Sequence, residues 1–207
     1  MLSRSVSVPE GGPLSILDIG SGVGRLAIGL QKHPRDDFTY IGIDPDAQPI
    51  AWANEHLADE QEQYQFIHLD LHNARYNPHG EVRMDDEFRL PVADGSQDVI
   101  YLYSVFTHLV EPEARIYLRE FSRLLRDSLS FVFLTVHAES DVQAAQINPA
   151  GYPPWPWYVG KNLGPLHRVR YDRKYFEEMV TEAGLKVIRM GHLDEWNYQS
   201  GFYLGLA

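Results

Sequence analysis

The chain reads as a doubly wound α/β fold, a mostly parallel sheet of seven strands with helices on both faces. Three observations predict it. Strand-like apolar runs alternate with helix-like stripes through most of the 207 residues, the pattern of crossover connections between parallel strands. A glycine loop, Gly20-Ser21-Gly22-Val23-Gly24, stands between the first run and the first stripe. Strand, glycine loop and helix together present bare backbone N–H groups to a nucleotide-like ligand. Three early runs also end on an acid, Asp18, Asp44 and Asp70, at the carboxyl ends where open α/β sheets bind ligands.

Leu14, Ile16 and Leu17 make the first strand, and a helical stripe of Leu26, Ala27, Ile28 and Leu30 begins at Arg25. Residues 38–44 (FTYIGID) are the second strand. Residues 47–58 carry Ile50, Ala51, Ala53, Asn54, Leu57 and Ala58, an amphipathic helix that tolerates Pro49 in its first turn. Residues 64–70 alternate apolar and polar side chains as a third strand. Residues 71–90 read as loop, with Asn77-Pro78 and His79-Gly80 as turn signals. Asp98 opens the fourth strand, DVIYLYS. The clearest helical stripe follows over 112–126, with Ala114, Tyr117, Leu118, Phe121, Leu124 and Leu125 on one face. Residues 130–137 are the fifth strand. Residues 139–171, rich in Pro, Gly, Trp and Tyr, read as irregular. A short helix from about 173 to 183 has Asp172 as its N-cap and Gly184 just past its end. Residues 185–190 and 201–206 complete the seven strands. Asp18, Asp44, Asp70 and Ser104 then line one rim.

Composition narrows the classes. The length and a 44% apolar content suit one domain with a substantial core. No apolar run approaches a membrane span, and the N-terminus has no secretory apolar region. Cysteine is absent, which excludes disulfides and thiolate metal sites and fits a cytoplasmic setting. No cluster has the ligand spacing of a metal site. The net charge of −11 opposes binding to a polyanion, with a local basic patch at Arg168, Arg170, Arg173 and Lys174. Nothing in the sequence fixes the oligomeric state.

The glycine loop admits more than one ligand. Gly22-x-Gly24-x-x-Ala27, with Asp44 twenty residues beyond Gly24, satisfies a dinucleotide fingerprint. Asp18 argues otherwise. A carboxylate two residues before the first glycine is a poor neighbour for a diphosphate and a good one for a ligand carrying an ammonium and a sulfonium. With this D-x-G-x-G-x-G loop and the acid-ended IGIDPD, the chain resembles the class I S-adenosylmethionine-dependent methyltransferases, which have a Rossmann-like sheet. The stretch 90–113 (LPVADGSQDVIYLYSVFTHLVEPE) resembles them again, most closely small bacterial members with a YNP-[NH]-G turn before SVFTH.

The resemblance implies a cofactor, S-adenosylmethionine, and a site. Asp18, Gly20, Ser21, Gly22 and Gly24 would cradle the cofactor, and Asp44 would accept both ribose hydroxyls. Asp70 would meet the adenine amino group and the Leu71 N–H a ring nitrogen, while Pro45 packs on the adenine face or serves only as a turn residue. Ser104 and Val105, with Phe106, would sit beside the methyl donor. Methyl transfer from a sulfonium needs little acid–base help and gains chiefly from alignment, worth roughly 7–11 kcal/mol in well-oriented reactions. An oxygen acceptor also needs a base, for which His108 and His137 are candidates; His108 reads equally as a capping histidine. Tyr101 and Tyr103 read as core strand residues. The expected acceptor is a small molecule or a sugar, methylated on oxygen or nitrogen. The alternatives are a nicotinamide-dependent oxidoreductase using Gly22, Gly24, Ala27 and Asp44, for which no Tyr-x-x-x-Lys pair is evident, and a non-catalytic cofactor-binding or scaffold protein of the same fold.

Two departures from the family pattern stand out. Arg126-Asp127-Ser128 replaces the usual Pro-Gly-Gly before the fifth strand, which bears on a remote turn. A helix that often covers the cofactor has no counterpart before the first strand, which predicts weaker cofactor binding or a longer parent protein. The aromatic segment 148–165, with Tyr152, Trp155, Trp157 and Tyr158, reads either as a lid over the acceptor or as a wrapped loop completing the core.

Overall fold

The fold is described from a computed structural model, over residues 13–33, 37–59, 63–73, 76–139, 157–159, 168–195 and 199–207, with backbone alone for 157–159 and 193–195. Its first half is the expected parallel sheet. β1 (Leu14–Ile19) lies between β2 (Phe38–Asp44) and β4 (Val99–Leu102), β3 (Tyr64–His68) pairs outside β2, and β5 (Phe131–Glu139) pairs beyond β4, all in parallel. Successive β1 residues face opposite layers. Ile16 packs with Tyr40, Ile50 and Ala53 on the side of α1 (Arg25–Gln31) and α2 (Ala47–His56). Leu17 packs with Phe106, Leu118 and Phe121 on the side of α3 (Glu111–Leu124). This two-sided burial is why the early strands read as nearly continuous apolar runs.

The second half departs from the seven-strand expectation. Residues 139–171 contain two short strands, β6 (Trp157–Val159) and β7 (Val169–Asp172), giving a sheet of nine. The outer edge of β5 is shared. Over Val132–Val136 it pairs antiparallel with β9 (Gln199–Leu206), and over His137–Glu139 it pairs in parallel with β7, which carries β6 on its far side. β8 (Leu185–Glu195) completes the sheet beside β9. The strand at 169–172 escaped detection because four residues are too short a run to stand out, although Val169 and Tyr171 alternate with Arg170 and Asp172. That arginine is paired with Glu139 on the neighbouring strand. Of the segment 148–165, only the backbone of Trp157–Val159 is described; Tyr152, Trp155 and the lid-or-core question lie outside the described residues.

α4 (Arg173–Glu182) begins as expected, with the Asp172 carboxylate accepting the Tyr175 N–H at 2.9 Å. The turn at 126–128 is well satisfied without Pro-Gly-Gly. Arg126 bonds the Asp98 carboxylate and the Ser96 carbonyl, while the Asp127 carboxylate accepts from Leu129 and Ser130. The 85–97 stretch is tied to α3 by the fully buried Glu120, which accepts the Leu90 N–H and pairs with Arg123. These clamps hold β4 where its end can face the glycine loop. No described helix is long and apolar enough to cross a membrane.

Candidate active site

The glycine loop follows β1 directly. Gly20, Gly22 and Gly24 all have positive φ, at 76°, 53° and 78°, a region that L side chains resist. Two are also crowded. A Cβ at Gly20 would lie 2.5 Å from Val105 Cγ2, and one at Gly24 would meet Leu57 and Phe66. At Gly22 nothing lies within 4 Å, so the middle of the loop is open to a ligand. Val105, expected beside the methyl donor, therefore seats directly on the loop.

Asp44 ends β2 and fixes the loop's height. Its two oxygens accept the Gly22 and Asp46 N–H groups, each at 2.8 Å. Each carboxylate oxygen has a second lone pair for a ligand hydroxyl. Burial pushes the Asp44 carboxyl above its usual range, against the pull of those two N–H bonds. Asp18 is more deeply buried, at 2% exposure. Its Oδ2 accepts the Tyr40 hydroxyl at 2.6 Å. Burial raises its carboxyl to about 7; the Tyr40 hydrogen bond opposes this, the nearby Asp44 charge adds to it, and Arg25 counters it.

Two adjoining cavities open on this rim. One, of about 330 Å³, is lined by Asp18, Gly20, Ser21, Arg25, Tyr101 and Tyr103 among others. The second, of about 220 Å³, has Asp44, Pro45 and Leu71 on one side and Ser104, Val105 and His108 on the other, with Tyr76, Tyr103 and Tyr117 as aromatic wall. Gly20, Arg25 and Tyr103 belong to both. Tyr101 and Tyr103 thus line the site rather than the core. They stack with a 13° interplanar angle, and Phe133 continues the stack on Tyr101.

Ser104 has φ +61°, the one non-glycine residue with positive φ among those described. Its N–H donates to Thr135 Oγ1 at 2.7 Å, its Oγ accepts from Gln199 Nε2 at 2.6 Å, and the Thr135 hydroxyl donates to Gln199 Oε1 at 2.5 Å. This triangle holds a backbone that would otherwise cost about 1–2 kcal/mol. His108 lies in the 3₁₀ turn Phe106–His108, half-buried, with Tyr76 edge-on at 5.7 Å.

Three expectations are corrected. Asp70 does not line either cavity. Its oxygens accept from Asn77 Nδ2 and the Glu81 N–H, bonds that hold its carboxyl below the usual range. It pins the 70–82 loop that carries Leu71, Asn73 and Tyr76 to the cavity. The Leu71 N–H, expected on an adenine nitrogen, donates to the Leu69 carbonyl, although the Leu71 side chain lines the cavity. His137 is buried on β5 and lines neither cavity. The basic patch is partly neutralised, Arg170 by Glu139 and Arg173 by Glu177. Arg25, Tyr40, Thr135 and Gln199 were not singled out by sequence, because none belongs to a local motif; Tyr76 opens the YNP-[NH]-G turn but was given no role there. No group of three or more metal-capable side chains occurs among the described residues.

A glycine loop under two strand-end acids, on an open parallel sheet, defines a protein that binds a nucleoside-bearing cofactor across the β1–β4 crevice. The model of the methyltransferase domain family matches residues 6–190, so the chain belongs to that family, whose members are enzymes that take their methyl group from S-adenosylmethionine. An arsenite methyltransferase from Aquipseudomonas alcaligenes is 32% identical over 124 residues, 60% of this chain; the chain spans about a third (33%) of that relative's length. A SAM-dependent methyltransferase from Methanosarcina mazei shares the fold with a TM-score of 0.65 at 16% identity, over 95% of this chain and 93% of that one. One from Aquifex aeolicus does so at 0.57 and 18%, over 95% and 85%.

Proposed function

We propose that the chain moves the methyl group of S-adenosylmethionine to an oxygen or nitrogen of a small-molecule or sugar acceptor. The observation that carries this reading is the cavity in which Asp44 and the glycine loop face Ser104, His108 and three tyrosines. The cofactor supplies an electrophilic methyl on a sulfonium with a neutral thioether as leaving group. The residues present fit it. Asp44 has lone pairs for the ribose hydroxyls, the space over Gly22 is open, and Asp18 offers an ammonium its free oxygen. Arg25, on the wall of both cavities, is the cation for the carboxylate. Pro45 and Leu71 give the adenine apolar faces.

The chain's own contribution to the chemistry is alignment and exclusion of water. Tyr76, Tyr103 and Tyr117 wall the acceptor, and Val105 fixes the glycine loop against β4. His108 takes the proton of a hydroxyl acceptor. Arsenite is not carried over from the A. alcaligenes relative. Soft metalloids are held by thiolates, and this chain contains no cysteine.

Transfer of label from radiolabelled S-adenosylmethionine across a panel of hydroxylated and amino-bearing small molecules and sugars tests the reading. A thermal-shift arm precedes it. S-adenosylhomocysteine should stabilise the protein, by about 2.7 kcal/mol at one hundred times its dissociation constant, and NAD should not. Stabilisation by NAD alone, or labelling only of arsenite or of macromolecules, would overturn it.

A further inference from the structure

Asp18 and Tyr40 form a pair that no local motif announces. They sit on the same face of neighbouring strands, Tyr40 beside Ile16 and Gly42 beside Asp18. The Tyr40 ring reaches along the strand to Asp18, and the space beside Gly42 is filled by others: a Cβ there would lie 2.8 Å from Phe66 and 3.0 Å from Ser21 Oγ. The ring itself is fully buried, against Tyr64 at 5.8 Å and Phe66 at 5.6 Å. Its hydroxyl donates to Asp18 Oδ2, and Asp18 Oδ1 makes no hydrogen bond among the described residues. The carboxyl borders the cavity shared with Arg25, Tyr101 and Tyr103. So one oxygen is fixed by the protein and the other is left for a ligand.

We propose that Tyr40 is a positioning residue of the cofactor site: its hydroxyl, donating to Oδ2, orients the Asp18 carboxyl so that Oδ1 faces the cofactor's ammonium and favours the ionised form that the ammonium needs. The inference rests on the reading of Asp18 as the ammonium partner. The charged and titratable neighbours pull in both directions. From β2, Tyr40 favours the carboxylate and Asp44 disfavours it; from α1, Arg25 favours it, too weakly to form an ion pair; from β4, Tyr101 faces the same cavity without supplying a charge. Burial is the largest influence and favours the proton, which places the titration near neutrality. Affinity for a cationic ligand should then fall as pH drops below 7. Removing the Tyr40 hydroxyl raises the Asp18 titration further, so the fall should begin at a higher pH.

The test is calorimetric titration with S-adenosylhomocysteine and with 5′-methylthioadenosine, which lacks the amino-acid tail, between pH 6 and 8. For the wild type, S-adenosylhomocysteine binding should weaken by up to about tenfold per pH unit below neutrality, with methylthioadenosine binding flat. Tyr40→Phe should lose about tenfold or more in S-adenosylhomocysteine affinity at pH 7, with its pH profile displaced upward and methylthioadenosine affinity retained. That retained binding also reports an intact fold. Independently of any variant, wild-type titrations at pH 6.5 in buffers of different ionisation enthalpy should show the release of up to about one proton. No proton release, or a Tyr40→Phe profile that overlays the wild type, overturns the proposal. If instead Asp18→Asn leaves S-adenosylhomocysteine affinity unchanged, the reading of Asp18 itself is what fails.

Discussion

The rim of the sheet is assembled in two different ways. On the β1–β2 side its polar groups are near neighbours of one loop. Asp44 takes the Gly22 N–H from 22 residues away and the Asp46 N–H from 2. On the β4 side they are gathered from the far end of the chain. Ser104 is held by Thr135, 31 residues on, and by Gln199, 95 residues on. The first half works through backbone N–H groups and two carboxylates, so its geometry survives as long as the loop does. The second works through a closed triangle of neutral side chains around a left-handed residue. The two halves should therefore fail differently, the first in cofactor affinity and the second in stability and acceptor handling.

The largest expected effect lies in the first half. Asp44→Ala should cost S-adenosylhomocysteine about 2–3 kcal/mol of binding free energy, the worth of charge-assisted hydrogen bonds to two hydroxyls. Because the Gly22 N–H loses its acceptor as well, the loop loosens and the loss should sit at the upper end. Calorimetric titration reads it, and an unchanged affinity would take Asp44 out of the site.

The same division decides what could be read from the amino-acid string. Asp18, the glycines and Asp44 were legible because strand, loop and acid follow one another within 29 residues of chain, 16–44. Ser104 and Val105 were placed at the site by resemblance, but the strain at Ser104 and its two partners were not visible. Nothing local marks Thr135 or Gln199; each becomes polar core only when β9 folds back antiparallel on β5. Asp70 misled for the opposite reason. It reads as a strand end like the other acids, but β3 stops at His68, and Asp70 stands in the following loop, which turns back so that Asn77 and Glu81 bond its carboxylate. Strand end predicts rim position, and the loop that follows decides what the side chain does there.

The two halves meet at Gly20 and Val105. Gly20→Ala should destabilise the protein by about 1–2 kcal/mol through its positive φ alone, with a further amount from the Cβ set 2.5 Å from Val105 Cγ2. Adding Val105→Ala should recover the second part and leave the first. Urea unfolding of the single and double variants separates them. Full recovery in the double variant would mean that packing, and not backbone conformation, is what requires glycine at this position.

Gln199→Leu probes the β4 half alone. Leucine fills most of the volume but leaves the buried Thr135 hydroxyl without its acceptor, a loss near the low end of the ~1–3 kcal/mol attached to an unsatisfied buried group. The melting temperature should fall, with S-adenosylhomocysteine affinity within about twofold of wild type, since Gln199 lines neither cavity and reaches the site only through Ser104, not through the Asp44 half. A tenfold loss of affinity would show that the halves are coupled and would dissolve the distinction.

The smallest effect has the clearest sign. At an ordinary position, replacing glycine by alanine stabilises a protein by about 0.4–1 kcal/mol, because it narrows the unfolded ensemble. At Ser104 the order should reverse. Ser104→Ala and Ser104→Gly both lose the Oγ that accepts from Gln199, so that term cancels between them. Both keep the N–H that donates to Thr135. What differs is the φ of +61°, which alanine holds at a cost of about 1–2 kcal/mol and glycine holds freely. The glycine variant should therefore be the more stable of the two, by up to about 1 kcal/mol after its unfolded-state entropy is subtracted. Denaturant unfolding of the pair, with equal slopes, measures this difference directly. An alanine variant more stable than the glycine variant would mean that residue 104 is not left-handed in solution, and that the triangle of Thr135 and Gln199 holds a side chain rather than a strained turn.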